Sequence, residues 1–469
     1  MTEKQLKKQM LKEMEDKEIF NQVKDYAFEY ADTVRERNVF PLQQALENLK
    51  YFEEDIPNHN TPATELLKLL HKYGSPTTIA QIGGRYFGLV NGGIIPAGLA
   101  AKWLNDFWDQ NTPLFATSPI ASALETVVEK WLRQLFNLPA STVAGFVSGT
   151  SMGILCGLAA ARYRILKRQN WDINQRGLIN APVIRIISGR QAHATVLKAI
   201  ALLGLGIENI EWVDVDDQGR IIANKIPGLD QNTILLLQAG NVNSGSFDSF
   251  DETCGMAQKK NAWVHIDGAF GLWAACSGKL NHLTRGIEKA NSWSVDGHKT
   301  LNTPYDCGIV LCNDKEALVS ALQATGSYIV YGENRDGMLY TPEMSRRARA
   351  VELWATIKYL GREGIDHLVY GLHLRAKQFE KELSLNGFRV LNEVVFNQVL
   401  IACDDENETK KTLKEIQEQR ICWCGGSQWL GTQVIRISVC SWVTSEEDVS
   451  RSVKSFLSAR KKARESLMV

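Results

Sequence analysis

The 469-residue chain has no excess of charge of either sign: Lys and Arg together number 53, and so do Asp and Glu. That balance argues against a broad basic face for nucleic acid or an anionic membrane. No apolar run approaches the ~20 residues that span a bilayer. The first ten residues, Met1-Thr-Glu-Lys-Gln-Leu-Lys-Lys-Gln-Met10, are too charged for a secretory signal and lack an apolar core. A disulfide framework is missing too, because the nine cysteines are odd in number and scattered, which suits reduced thiols. Only Cys422-Trp-Cys424 stand close together, and a one-residue gap suits neither a zinc knuckle nor a thioredoxin-like pair. There is no internal repeat and no low-complexity tract. What these absences leave is a soluble, cytoplasmic globular protein, 44% hydrophobic and 23% charged, long enough for two or three domains.

Three regions can be read along the chain. Residues 1–80 hold charge-rich helical stretches such as Glu18 to Glu36 and Pro62 to Tyr73, a segment suited either to packing on a partner subunit or to capping its own domain. Residues 81–344 begin with Gly83-Gly-Arg-Tyr-Phe-Gly-Leu-Val-Asn-Gly-Gly93, a glycine- and aromatic-rich loop of the kind that lines sites. Ser118 to Leu138 has apolar residues at helical spacing. Short apolar strands then alternate with helices: Val183 to Ile187, Ile210 to Asp214, Thr233 to Gln238, Trp263 to Ile266, Ser292 to Val295 and Gly308 to Cys312. This alternation calls for a mostly parallel sheet covered on both faces, an α/β fold. Residues 345–469 lose the alternation and read as a smaller α+β domain, with a helix ending at Gly361 and Gly364 and another from about 365 to 386.

Ligands of parallel sheets collect beyond the strand C-termini, and the chemically interesting residues fall there. Ala144 to Gly153 is a strand turning through Ser148-Gly-Thr-Ser151 into a helix, which makes an anion site from free amides, a dipole end and two hydroxyls. It lacks the Gly-Lys-Ser/Thr ending of a Walker loop. His193, Asn241, Asp267 and Lys299 follow other strands. A lone lysine says little, but a lysine and an acid on neighbouring strand ends suit pyridoxal phosphate. That cofactor needs an amine for its aldehyde and an acidic partner for its ring nitrogen.

The motifs Ser294-Val-Asp-Gly-His-Lys-Thr-Leu301, His265-Ile-Asp-Gly-Ala269, Gln191-Ala-His-Ala-Thr195 and Asp306-Cys307 are similar to those of the group II pyridoxal-phosphate-dependent decarboxylases, which are fold-type-I enzymes. The likeness runs from about Gly83 to the C-terminus. Gly84 to Gly88, Gln238 to Asn243 and Cys422 to Gly426 resemble a bacterial branch of unassigned substrate. The resemblance implies Lys299 as the lysine that bonds the cofactor and Asp267 as the partner of the ring nitrogen. Ala269 and His193 would lie on the two ring faces, and Gly149, Thr150, Ser151, His298 and Ser294 near the phosphate. Asn241 would sit on the O3′ side, where better-known members have Thr; the turn Ser148-Gly-Thr-Ser151 also departs from their Ser-Gly-Gly-Thr.

The same resemblance implies an amino-acid decarboxylase, a homodimer with its site at the subunit interface. Tyr331, in the polar stretch Ser327 to Glu343, is the expected proton donor. Arg436 and Tyr86 are expected to face the substrate, with a structural salt bridge as the other reading of Arg436. Aminotransfer, aldehyde synthesis and carbon–carbon lysis would use the same lysine and acid. A cofactor-binding protein without turnover is the rival outside enzymes.

Overall fold

The computed structural model describes residues 2–323 and 332–468; Tyr331 and Tyr328 lie outside them. The chain begins with two helices, α1 (Glu3–Asp16) and α2 (Glu18–Thr33), joined at Lys17 in a left-handed conformation. Thr2 and Gln5 form a capping box at the start of α1. Leu6, Met10, Leu11 and Met14 of α1 and Phe28 of α2 stay exposed. After short helical turns come α3 (Pro96–Trp108) and α4 (Pro119–Leu135). The second buries Ala121, Glu125, Val128, Leu132 and Leu135 along one stripe.

A seven-stranded sheet forms the centre. Its strands are β1 (Val143–Val147), β2 (Arg185–Gly189), β3 (Ile210–Val213), β4 (Thr233–Gln238), β5 (Trp263–Asp267), β6 (Ser292–Asp296) and β7 (Gly308–Cys312). They lie in the order β1-β7-β6-β5-β4-β2-β3. Only β7 runs against the others, antiparallel to both β1 and β6. Strands β1, β4, β5, β6 and β7 are buried at every position, as a sheet covered on both faces requires. The α/β reading therefore holds, and strand limits differ from it by no more than a few residues.

Helices α5 (Thr150–Arg168), α6 (Ala194–Leu202) and α7 (Phe250–Lys259) are the principal crossovers. Helix α5 lies close to β5 because Gly157 faces His265: a Cβ there would come within 2.6 Å of the His265 Nδ1. This geometry delivers the ends of β1, β2, β4, β5 and β6 to one edge of the sheet.

The C-terminal part is built on α8 (Ala350–Leu385), which breaks at Gly361 (φ 61°, ψ −175°). Gly361 thus ends the first half as expected, whereas Gly364 lies inside the second half rather than marking an end. A four-stranded antiparallel sheet follows: β8 (Arg389–Val390), β9 (Gln398–Ala402), β10 (Gly425–Trp429) and β11 (Thr432–Ser438), ordered β10-β11-β9-β8. Helices α9 (Glu406–Gln419) and α10 (Glu446–Leu467) cover it. Strand β10 escapes a sequence reading because Gly-Gly-Ser-Gln carries almost no β-propensity; pairing with β11 alone makes it a strand. Among the described residues no helix is long and apolar enough to cross a membrane.

Candidate active site

A cavity of 340 Å³ opens at the C-terminal edge of the large sheet. Its wall includes Gly149, Thr150, Ser151, His193, Asp267, Ala269, His298 and Lys299. Eight residues that the sequence scatters over 150 positions thus meet in one place, because they lie at or just beyond the ends of four strands, β1, β2, β5 and β6, of a single sheet.

Asp267 ends β5 and is buried. Its Oδ1 accepts the Ala269 amide at 3.2 Å, and no cation pairs with it among the described residues. Burial pushes its carboxyl pKa up, against the pull of His193 and Lys299. A carboxylate so placed is costly unless a cation arrives. A protonated pyridine nitrogen would supply that charge.

His193 caps α6: its Nδ1 accepts the Thr195 amide at 3.3 Å and lies 2.7 Å from the Thr195 hydroxyl. Burial lowers its pKa, so the ring is held neutral and fixed beside Asp267.

The turn between β1 and α5 carries the anion-binding features. The Thr150 hydroxyl is buried with no hydrogen-bond partner among the described residues, and Ser151 is exposed to the cavity. His298 flanks this turn. Its Nδ1 accepts the Cys307 amide at 3.0 Å, its ring stacks on Tyr305 with centroids 4.3 Å apart, and burial lowers its pKa. An unused buried hydroxyl at a helix N-terminus fits a phosphate group. With Asp267 lacking a cation and Lys299 reaching the same cavity, the residues present fit pyridoxal phosphate.

Two expected cofactor ligands do not line the cavity. Asn241 is buried and spent on its own turn, its Oδ1 accepting the Asn243 and Ser244 amides and its Nδ2 donating to the Gln191 carbonyl. Ser294 lies one pleat back from Asp296, with its Oγ 3.3 Å from the His265 Nε2. Both support the wall from behind. Tyr331 is outside the described residues.

Tyr86 and Arg436 also stand outside the cavity wall but close together. Tyr86 stacks on Trp423 (5.3 Å between centroids, 9° between planes), and the two residues form a β-bridge. Gly88 is obligatory there, since a Cβ would come within 2.1 Å of the Trp423 ring. Two motifs without evident chemistry, Gly84 to Gly88 and Cys422 to Gly426, are therefore one contact. Trp423 reaches Tyr86, while Cys422 and Cys424 are wholly buried with their thiol pKa values pushed up, which rules out an exposed thiolate pair. Arg436 on β11 makes no side-chain hydrogen bond and no ion pair among the described residues, so the salt-bridge reading finds no partner. Burial lowers its pKa, and its charge acts on both Tyr86 and His193.

The sequence reading expected the Gly83–Gly93 loop to line a site without naming the side chains that do so, and it missed two further residues. Leu89 and Val90 line the cavity with positive φ (54° and 61°), uncommon for a leucine and strained for a β-branched side chain. Asn302 is buried, and its amide joins three segments. Its Oδ1 accepts the Gly93 and Trp442 amides at 2.6 and 3.0 Å, and its Nδ2 donates to the carbonyls of Lys299, Thr300 and Cys440. Asp296, three residues before Lys299 at the end of β6, lies inside the cavity wall. The signal for it was a second acid in the lysine motif.

Comparison with known proteins agrees with this geometry. The chain is 29% identical over 426 residues to the aromatic-L-amino-acid decarboxylase of Bacillus atrophaeus, covering 84% of this chain and 85% of the relative. It is 25% identical over 362 residues to the acidic amino acid decarboxylase GADL1 of Xenopus tropicalis, covering 73% and 69%. Its fold matches Oryza sativa TDC, solved with PLP and tryptamine, at a TM-score of 0.87 and 20% identity over 95% of this chain and 97% of that one. The Rhodiola rosea 4-hydroxyphenylacetaldehyde synthase matches at 0.83 and 20% identity over 96% and 98%. Residues 47–402 match the model of the pyridoxal-dependent decarboxylase conserved domain. With its lysine, its uncompensated acid and its anion-binding turn gathered in one cavity, the chain belongs to the pyridoxal-dependent decarboxylase family, and its cofactor is pyridoxal phosphate.

Proposed function

We propose that the protein is a carboxy-lyase that removes the α-carboxylate of an L-amino acid. One observation carries the reading: Lys299 and a buried, cation-seeking Asp267 face one cavity beside a helix N-terminal turn whose Thr150 hydroxyl has no partner among the described residues. When bound, the cofactor supplies the electron sink for the pair left on the α-carbon as carbon dioxide departs. Lys299 holds the aldehyde carbon and Asp267 keeps the ring nitrogen charged. His193 and Ala269 confine the two ring faces. Gly149, Thr150, Ser151 and His298 hold the phosphate, with Asn241 and Ser294 fixing the segments behind them. Arg436, lacking a carboxylate of its own, binds one from the substrate, and Tyr86 shapes the approach to it. Tyr331 is proposed to return the proton to the α-carbon.

A homodimer with the site at its interface is part of the reading. Exposed apolar side chains concentrate on α1 to α3: Met10, Leu11, Met14, Phe28, Leu104, Phe107 and Trp108. An apolar surface of that extent on a water-soluble protein marks a contact with another chain. The charge balance gives no basis for a nucleic-acid or membrane partner, and the reading places the enzyme in the cytoplasm.

Relatives act on aromatic and on acidic amino acids, so the side chain is a matter for direct assay. The test is a panel of L-amino acids given to the holoenzyme, with carbon dioxide, amine, keto acid, aldehyde and ammonia all measured. Carbon dioxide and amine in equal amounts support the proposal. Keto acid without carbon dioxide, or aldehyde with ammonia, would replace it with aminotransfer or aldehyde synthesis.

A further inference from the structure

Asp296 has no part in the roles above, yet it is the carboxylate nearest the reacting lysine. Its side chain is 2% exposed, and its backbone is fixed by two bonds, the amide donating to the Ala269 carbonyl at 2.9 Å and the carbonyl accepting the Trp273 Nε1 at 2.8 Å. The two carboxylate oxygens face different ways. Oδ1 accepts the Thr150 amide at 2.7 Å, tying it to the first turn of α5. Oδ2 accepts from the Lys299 Nζ at 3.0 Å and lies 3.5 Å from the His298 Nε2. A helix cap would need only the first of these oxygens. The second is aimed at the amine that bonds the cofactor.

We propose that Asp296 is a positioning residue that receives the Lys299 ammonium each time the lysine is displaced from the cofactor. This rests on the assignment of Lys299 as the cofactor-bonding lysine. When an incoming amine takes over the aldehyde carbon, the C=N bond to Nζ breaks and one to the new nitrogen forms. Between protonated imines the incoming ammonium gives up two protons in all and Nζ gains two, so one ammonium enters, one is freed, and the count is the same on both sides. The freed lysine is then a cation in a largely buried cavity. Asp267 is engaged by the ring nitrogen, which leaves Asp296 to pair it. A charge-assisted bond there favours displacement and keeps Nζ within reach for the return step.

The test uses the holoenzyme and methoxyamine, a small nucleophile that is not an amino acid, with loss of the lysine-bonded visible absorbance as the readout. Its result does not depend on which reaction the enzyme catalyses, so this proposal and the decarboxylase reading can fail separately. Asp296→Asn keeps an oxygen for the Thr150 amide while removing the charge that faces Nζ. The expected result is release about tenfold slower than in the unchanged protein. Affinity for deoxypyridoxine phosphate, which has a methyl group in place of the aldehyde, is expected to be no weaker. Unchanged release with intact affinity for that analogue would overturn the proposal, since capping alone would then account for Asp296. Should the variant fold poorly, a crystal structure of the unchanged protein after methoxyamine treatment decides: Nζ bonded to the Asp296 carboxylate supports it, and Nζ turned away from it overturns it.

Discussion

Two partly buried arginines of this molecule stand under opposite conditions. Arg335, at the edge of the large sheet, pairs with Glu125 at 3.0 Å and Glu129 at 2.7 Å, and Arg346 joins the same Glu125 at 2.7 Å. Burial works against its charge, but the two glutamates outweigh that and hold its pKa above the ordinary value. Arg436, on the small sheet beside the cavity, has no such partner among the described residues, and burial lowers its pKa. Asp267 repeats the second condition with the opposite sign. The chain can pair a buried charge with opposite charges, so Asp267 in the cavity wall and Arg436 beside it, both left without an ion pair among the described residues, mark where a ligand belongs.

The sharpest way to break the comparison is at the lysine that shares the cavity with Asp267. Lys299→Ala should lower turnover of any accepted amino acid to background, measured by carbon dioxide release, with the fold intact by circular dichroism. Next, Glu125→Gln should leave Arg335 and Arg346 short of a counter-charge and cost about 3–5 kcal/mol in denaturant unfolding. If stability were unchanged, the ion-paired cluster would not be the structural half of the contrast.

Arg436→Ala should do the reverse. Stability should hold or rise slightly, while KM for the accepted amino acid rises roughly thirtyfold, about 2 kcal/mol of a charge-assisted bond. An unchanged KM for every amino acid would remove Arg436 from the site. The smallest effect is expected for Asp267→Asn in the cofactor-free protein, a gain of roughly 1 kcal/mol near neutral pH. The sign follows from the raised folded-state pKa. The stability that Asp267 contributes is present below its unfolded value near about 4 and is lost as pH rises through the folded value. The advantage of Asn should therefore fade on acidification. The same variant should bind the cofactor more weakly.

How much of this was legible in the sequence depends on what each residue's role rests on. Lys299, Asp267, His193 and the Thr150 turn could be read because strand ends of a parallel sheet converge, and short apolar runs reveal those ends. Asn241 and Ser294 share that neighbourhood but do not reach the cavity. Side-chain direction at a strand end is set by local turn bonds and by the pleat, which spacing does not report. The contact of Tyr86 with Trp423 joins the glycine-rich loop to the small sheet, and no local period could announce it. Asn302 was hidden for the same reason, since its five hydrogen bonds bring together segments distant in sequence. Asp296 was in plain view inside the lysine motif. An acid at a strand end is more often a cap, and only the second oxygen, turned toward Nζ, separates the two roles.

The central claim is that the coenzyme is bonded to the Lys299 amine with its ring nitrogen on Asp267. The most direct measurement is borohydride reduction of the holoenzyme followed by peptide mass mapping. The account predicts a phosphopyridoxyl group on the peptide containing Lys299, lost in Lys299→Ala and diminished in Asp267→Asn. A label on a different lysine, or undiminished labelling of Lys299 in Asp267→Asn, would contradict it.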